Sequence, residues 1–395
     1  MRARFSRSVR PHSLASSARV RLARLAVRDF RNLGRVDLDL PPEGMVVVGE
    51  NGHGKTNLLE AVYYLQLLRS ARGARDQDLV RFGEAGFHVS ADAESTSGAR
   101  TIGAGFERVS KRKRVKMDGV EVPRLSDALG ALPSVLCSPR DAALVAGAPS
   151  ERRRYLDVTL ALSSRSYLAA LQSYRGALAR RNAALRDTGR TARDEQRVAV
   201  WEPALAEHGA RIYTARVEWV AAVRDRYAEL CAAIGERGDA RLRYASALDA
   251  KGGDVEAALA AALEAKRGLD IRRGITHAGP HRDDLELTLT EPNGAPRDLR
   301  AFGSAGQQRT AAIALRVLER ETLRQRRDAS PLLLLDDPFA ELDARRSTRI
   351  LELLAGESAG QTILAVPRES DIPPGLTRLA RWRVERGVLT PWRAA

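Results

Sequence analysis

Cysteine is nearly absent: Cys137 and Cys231 are the only two thiols among 395 residues. Such a pair builds neither a disulfide framework nor a cysteine-ligated zinc site, and the usage predicts a cytoplasmic protein. Aromatic residues make up only 5% of the chain and do not interleave with its basic runs, so stacking on single-stranded bases is not indicated. No uninterrupted apolar run reaches the roughly 18 residues a membrane-crossing helix needs, so no membrane partner is expected. Residues 1–19 carry five arginines, no acid and no apolar core, which excludes a secretory signal. They read as a disordered basic tail or a mis-assigned start. No internal repeat is visible.

What is present is a globular composition, 44% hydrophobic and 29% charged, enough to bury a core. Lysine and arginine number 65 against 50 acids, a formal charge of +15. That excess favours a polyanion such as nucleic acid, or reflects a proteome rich in arginine.

From Val20 the segments VRLARLAVRDF and RVDLDL alternate apolar and polar residues like two strands of a hairpin. Gly44 to Val48 reads as a short buried strand, followed by a glycine-rich turn and a helical pattern from Thr56 to about Leu68. Short strands follow between Val89 and Val122, with a turn at Asp118-Gly119, and Leu132 to Cys137 reads as another buried strand. Between about Pro149 and Arg267 the composition shifts to Ala, Leu, Arg and Glu, which predicts packed helices. Strand patterns return at Leu285–Leu289, Leu332–Leu335 and Thr362–Val366, with a turn at Asn293-Gly294 between. The expected layout is α/β. Residues 20–148 and 271–395 form one nucleotide-binding head containing an antiparallel portion, interrupted by a helical arm over 149–270.

Gly49-Glu50-Asn51-Gly52-His53-Gly54-Lys55-Thr56 fits the phosphate-binding P-loop pattern, with the strand before it and the helix after it that the pattern requires. Its glycines let backbone N–H groups close around a phosphate, Lys55 reaches the β and γ oxygens, and the Thr56 hydroxyl is placed to ligate Mg²⁺. The buried run Leu332–Leu335 delivers Asp336 and Asp337 to a strand end. Asp336 is the second candidate Mg²⁺ ligand, and Asp337 is the candidate for orienting or deprotonating the attacking water. Gly303-Ser304-Ala305-Gly306-Gln307-Gln308-Arg309 opens a long helical pattern, where Ser304 either caps the helix or starts a second anion site. The cluster His281-Arg282-Asp283-Asp284 is either structural or a metal or acid–base site, with spacing poor for zinc. Lys111-Arg112-Lys113-Arg114 and Arg152-Arg153-Arg154 are candidate phosphate contacts, the first being equally a solvated face.

Together, the P-loop, the Ser-Gly-Gln helix start and Asp336-Asp337-Pro338-Phe339-Ala340-Glu341-Leu342-Asp343 resemble the head of an ABC-type ATPase of the chromosome-maintenance branch. More narrowly the chain resembles the RecF family, through Asp29-Phe30-Arg31-Asn32-Leu33, Arg69-Ser70-Ala71-Arg72, Ser150 to Asp157, Arg180 to Leu185 and Gly279 to Leu285. The resemblance implies an ATP-dependent homodimer in which Ser304, Gly306 and Gln307 of one copy face ATP held by residues 49–56 of the other. Asp343 would lie in the loop crossing that interface. It also implies ATP-dependent binding of double-stranded DNA near gaps and work with RecR and RecO in loading a recombinase. Asp337, one methylene shorter than a Glu, leads to the expectation of slow ATP hydrolysis. Pro338, Ala340 and Ala365-Val366-Pro367 depart from the usual pattern of the family. The rival readings are a DNA scaffold that binds ATP with negligible turnover and a transporter's ATPase subunit. The long arm and the lack of a membrane-coupling segment weigh against the transporter.

Overall fold

The computed structural model describes residues 18–95, 98–187, 192–248, 253–292, 294–327, 329–338, 344–355, 360–377 and 379–392. Most of the expected tail, Asn293 and Asp343 lie outside the described residues. Ala18–Arg19 form a short strand parallel to Ala329–Ser330.

Two six-stranded sheets enclose one helix. The first runs, in spatial order, Val388–Pro391, Ala380–Glu385, Gly44–Val48, Thr362–Val366, Leu332–Asp336 and Ser134–Cys137. All its neighbours are parallel except the first pair. Gly44–Val48, Leu332–Asp336 and Thr362–Val366 are buried along their whole length, which explains why they are continuous apolar runs and not alternating ones. The second sheet is antiparallel throughout, in the order Leu33–Asp39, Arg21–Phe30, Gly86–Ser95, Gly98–Glu107, Arg112–Met117 and Val120–Glu121. Its last hairpin turns at Asp118 and Gly119, both at positive φ (51° and 81°), the geometry that matches strand twist in a two-residue turn.

The helix Lys55–Leu67 packs against strands of both sheets. All of its residues except Thr56 and Asn57 are buried, as expected of a helix with neighbours on every side. Phe30, Tyr64 and Phe87 lock it to the antiparallel sheet, their ring centroids 5.2–6.0 Å apart in edge-on contacts. Truncating Tyr64 to Ala would cost about 3 to 5 kcal/mol, the range for deleting a large buried ring.

The arm is built from Pro149–Ser163, Arg165–Arg186, Ala192–Ala199, Glu202–Ile234 and Val255–Arg273. It also contains a strand that composition did not suggest. Asp239–Ala245 pairs antiparallel with Asp284–Thr290, which in turn pairs with Arg297–Asp298. The strand read from Leu285–Leu289 is therefore present, but it joins a three-stranded sheet built with the arm and not the central sheet. Alternation explains it: Ala240 and Leu242 are buried while Arg241 and Arg243 face outward. Inside the arm, the fully buried Arg181 donates to Asp270 (2.7 Å), Glu202 (2.9 Å) and Thr276 Oγ1 (2.8 Å). Breaking such a buried pair from one side costs about 3 to 5 kcal/mol, because the remaining charge is stranded.

Candidate nucleotide site

The buried strand Gly44–Val48 aims the chain at the loop 49–54, and the helix that starts at Lys55 turns its first, unpaired N–H groups back into that loop. Gly52 and Gly54 have φ of 86° and 116°, values that strain any residue with a Cβ. A Cβ on Gly49 would sit 2.4 Å from the Val384 carbonyl oxygen, whereas one on Gly52 would meet nothing within 4 Å. The loop is thus closed on its sheet side and open where a phosphate would enter. Lys55, only 6% exposed, lies across it and donates to the carbonyls of Gly49 and Glu50 (3.0 Å). Burial holds its ammonium below the ordinary lysine pKa, partly offset by Asp336 and Asp337.

Thr56 Oγ1 donates to both carboxylate oxygens of Asp336, at 3.0 and 2.9 Å. A hydroxyl and a carboxylate this close form the hard oxygen pair that suits Mg²⁺. Burial raises the Asp336 pKa above the usual carboxylate value, with Asp337 adding to the rise and Thr56 and Lys55 opposing it. Asp337 follows at φ 45°, its N–H bonded to Ala365 O at 2.9 Å. Its carboxyl is half-buried and likewise pushed up by burial. Arg309, from the helix Ala305–Arg327, donates to the carbonyls of Asp337 (3.3 Å) and Pro338 (2.9 Å) and pins this turn.

At the start of that helix Ser304 N–H donates to Gln307 Oε1 (2.9 Å) and Gln307 N–H donates to Ser304 Oγ (3.2 Å), a reciprocal capping box. The pair is exposed or nearly so, and among the described residues neither side chain hydrogen-bonds to the loop 49–56 of its own chain.

A layer that sequence reasoning did not assign supports the loop. Asn32 Nδ2 donates to the Gly52 carbonyl (3.2 Å), Asn57 Nδ2 donates to Asn32 Oδ1 (2.8 Å), and Arg72 donates to Asn57 Oδ1 (2.5 Å). Arg72, Arg31 and Ser70 converge on Glu60, which is buried in the helix that follows the loop. Burial raises the Glu60 pKa, but bonds from Arg72, Arg31 and Ser70 outweigh it and hold the carboxyl below its ordinary value. The available signal was a polar pair, Asn57 and Glu60, three residues apart in the first turns of a largely buried helix.

Thr56 and Asp336 are thus brought together, Lys55 and Asp337 are placed beside them, and Ser304, Gly306 and Gln307 sit at a different helix start. Across the whole chain, the model of the RecF/RecN/SMC N-terminal domain matches residues 21–372. The DNA replication and repair protein RecF of Frankia alni is 38% identical over 371 residues, covering 90% of this chain and 96% of that protein. RecF of Anaeromyxobacter dehalogenans is 36% identical over 381 residues, covering 94% and 99%. The chain belongs to the RecF family. Among solved structures, the RecF–ATP complex of the RecFOR pathway superposes with a TM-score of 0.86 at 29% identity, covering 97% of this chain and all of that one. An Smc head from Pyrococcus furiosus, at 17% identity and a TM-score of 0.54, shares the fold.

Several segments that carry the RecF resemblance are structural. Arg152 is buried and makes a two-pronged ion pair with Asp284 (both bonds 2.8 Å), Arg153 donates to the Asp283 carbonyl (2.9 Å) and Arg154 to the Ser70 carbonyl (3.3 Å). The reading of Arg152-Arg153-Arg154 as phosphate contacts is corrected: Arg152 and Arg153 tie the first arm helix to the start of the three-stranded sheet, and Arg154 reaches back to the head. His281 accepts from the Tyr174 hydroxyl at Nδ1 (2.6 Å) and donates from Nε2 to Thr276 O (3.0 Å). Burial pushes its pKa down to about 4, and both ring nitrogens are taken up by partners within the fold. Asp283 accepts from the Tyr244 and Ser246 hydroxyls. Among the described residues no group of three or more His, Cys, Asp or Glu could hold a metal. Of the run at 111–114, Lys113 turns inward to Asp76 (2.7 Å) and the Leu68 carbonyl, while its neighbours stay exposed.

Proposed function

We propose that the chain is an ATP-dependent DNA-binding ATPase that dimerises on ATP and acts in recombinational repair and replication restart from the cytoplasm. ATP is held by the backbone of residues 49–54 and by Lys55, and Mg²⁺ by Thr56 and Asp336. Held by Thr56 and Asp336, such an ion would neutralise phosphate charge. Lys55 covers phosphate charge, Asp337 orients or deprotonates the attacking water, and hydrolysis releases the dimer. Asp337 is half-buried and one methylene shorter than a glutamate, which fits slow turnover. The observation that carries the reading is the separation of two half-sites within one chain. The Lys55–Thr56–Asp336 constellation and the Ser304–Gln307 helix start share no hydrogen bond among the described residues. A second copy supplies the missing half, with Ser304, Gly306, Gln307 and Asp343 facing the nucleotide across the interface. Double-stranded DNA at gaps is the substrate, and RecR and RecO are the partners that the family implies. Among the described residues no helix is long and apolar enough to cross a membrane.

Sedimentation with and without Mg-ATP tests the reading. ATP should convert monomer to dimer, and Lys55→Ala should abolish both nucleotide binding and dimerisation with the fold intact. ATP binding without any change in mass would overturn the two-copy site.

A further inference from the structure

The run Lys111-Arg112-Lys113-Arg114 belongs to a larger feature that only strand register reveals. Across the antiparallel sheet, Arg35 lies opposite Arg28, Arg28 opposite His88, His88 opposite Gly105, and Gly105 opposite Arg114. Directly opposite residues share a face of the sheet, so these five positions form one transverse row. Beside it, Gly103 lies opposite Lys116, and Glu107 opposite Arg112. Gly103 and Gly105 add no side chain, and the row opens there into a trough of 460 Å³ lined by His88, Phe106, Glu107, Arg112, Arg114 and Lys116, four basic side chains against one acid.

Asp37 takes up Arg28 and Arg35, and Glu121 approaches Arg112 at 3.5 Å. Arg114 and Lys116 have no acid within ion-pair distance among the described residues, and both are exposed. The His88 imidazole is held below its ordinary pKa by burial and by the charges of Arg28 and Lys116, a sign of locally positive potential. Arg108 and Lys111, exposed at the adjoining hairpin tip, add to it.

We propose that this outer face, centred on Arg114 and Lys116, is a docking surface for the phosphate backbone of double-stranded DNA. The proposal rests on the DNA-binding reading above and gives that reading a place. At the roughly 4.8 Å spacing of strands, four intervals cover about 19 Å, enough to span a major groove of about 12 Å from one phosphate rail to the other. The trough lets a rail approach the sheet where the glycines lie. The row presents no Phe, Tyr, Trp or aliphatic side chain, and Phe106, which lines the trough, is buried, so it offers no exposed ring for stacking. That disfavours single-stranded bases, which need stacking platforms, and an acidic protein partner, whose interface core would need apolar anchors.

The test uses the full chain with Mg-ATP and fluorescence anisotropy on a labelled duplex from about 50 to 200 mM salt, where counterion release is readily seen. The variant Arg114→Ala/Lys116→Ala should bind ATP normally. With two fewer phosphates per copy on the duplex, at about 0.9 each, its log–log salt slope should be shallower by about 1.8 for each copy engaged, so that over the fourfold range it loses at least about 12-fold less affinity than the wild type. A control removing two exposed arm cations, Arg211→Ala/Arg224→Ala, should keep the wild-type slope. If wild type and variant bind alike, or if the control falls as much as the variant, the docking surface is refuted while the DNA reading stands. A wild-type chain that ignores duplex at all salts refutes the DNA reading itself and the surface with it.

Discussion

Glu60 touches no phosphate, yet its replacement by Gln should be felt at the nucleotide. Its side chain is 1% exposed and receives Arg31 (3.1 and 3.3 Å), Ser70 (2.5 Å) and Arg72 (2.9 Å, with a second, shorter bond). Breaking a buried ion pair from one side costs about 3 to 5 kcal/mol. Both guanidiniums keep 21% of their surface in water, which places Glu60→Gln near the lower end. At about 2 to 4 °C per kcal/mol the head should melt at least roughly 6 °C lower. Arg72 also holds Asn57, and through Asn57 and Asn32 the Gly52 carbonyl, so ATP affinity should fall about 5-fold, the worth of one neutral hydrogen bond near 1 kcal/mol. The Glu60 pKa is depressed, so its stabilisation is present above the ordinary value of 4.5 and is lost as pH falls through the folded-state pKa. Wild type and variant should therefore converge in melting temperature below that pH. Scanning fluorimetry across pH and titration with a fluorescent ATP analogue read both effects. A variant that melts within a degree of wild type at neutral pH and binds nucleotide equally well would refute this role for Glu60.

Other outcomes follow from the same geometry. Asp337→Asn preserves a side chain that tolerates the left-handed backbone at φ 45°, so ATP binding and dimerisation should persist while steady-state phosphate release falls about 100-fold, the scale for losing a general base. Ser304→Arg places a bulky charge at an exposed cap; nucleotide should bind to the monomer while sedimentation shows no ATP-induced dimer, and a normal dimer would leave Ser304 only its capping role. Arg152→Ala removes the partner of Asp284 and bonds to the Val145 and Gly147 carbonyls, so it should lower thermal stability by about 3 kcal/mol while the salt dependence of duplex binding stays unchanged.

Local features were legible in the sequence. The strand Gly44–Val48, the loop with its glycines and the helix after it follow one another within a few residues, and periodicity located them within one residue. The strand end at Asp336 was equally readable, because a buried parallel strand leaves a continuous apolar run, here the four leucines Leu332–Leu335. What was hidden depends on distant partners. Arg152, Arg153 and Arg154 read as a charge run, but consecutive helix positions point in different directions. The groups that receive Arg152 and Arg153 lie 132 and 130 residues further along the chain. The strand Asp239–Ala245 was masked by the helix-forming composition around it, and only its pairing with Asp284–Thr290 gives it a sheet to join. The row from Arg35 to Arg114 combines five strands whose register no single segment contains.

The helix Ala305–Arg327 has a mechanical consequence. Its 23 residues extend about 35 Å at 1.5 Å per residue, and no glycine or proline interrupts it after Gly306. One end carries the Ser304 cap, and the rest is gripped by the arm: Tyr155 donates to the Leu315 carbonyl (2.6 Å), Trp219 to Thr322 Oγ1 (3.0 Å) and Arg226 to Glu321 (2.9 Å). The element therefore behaves as a stiff lever without a hinge. A rotation of the rod at its cap is expected to carry into the arm helices bonded along it, so a spectroscopic label on the arm helix Glu202–Ile234 should respond when Ser304 is engaged.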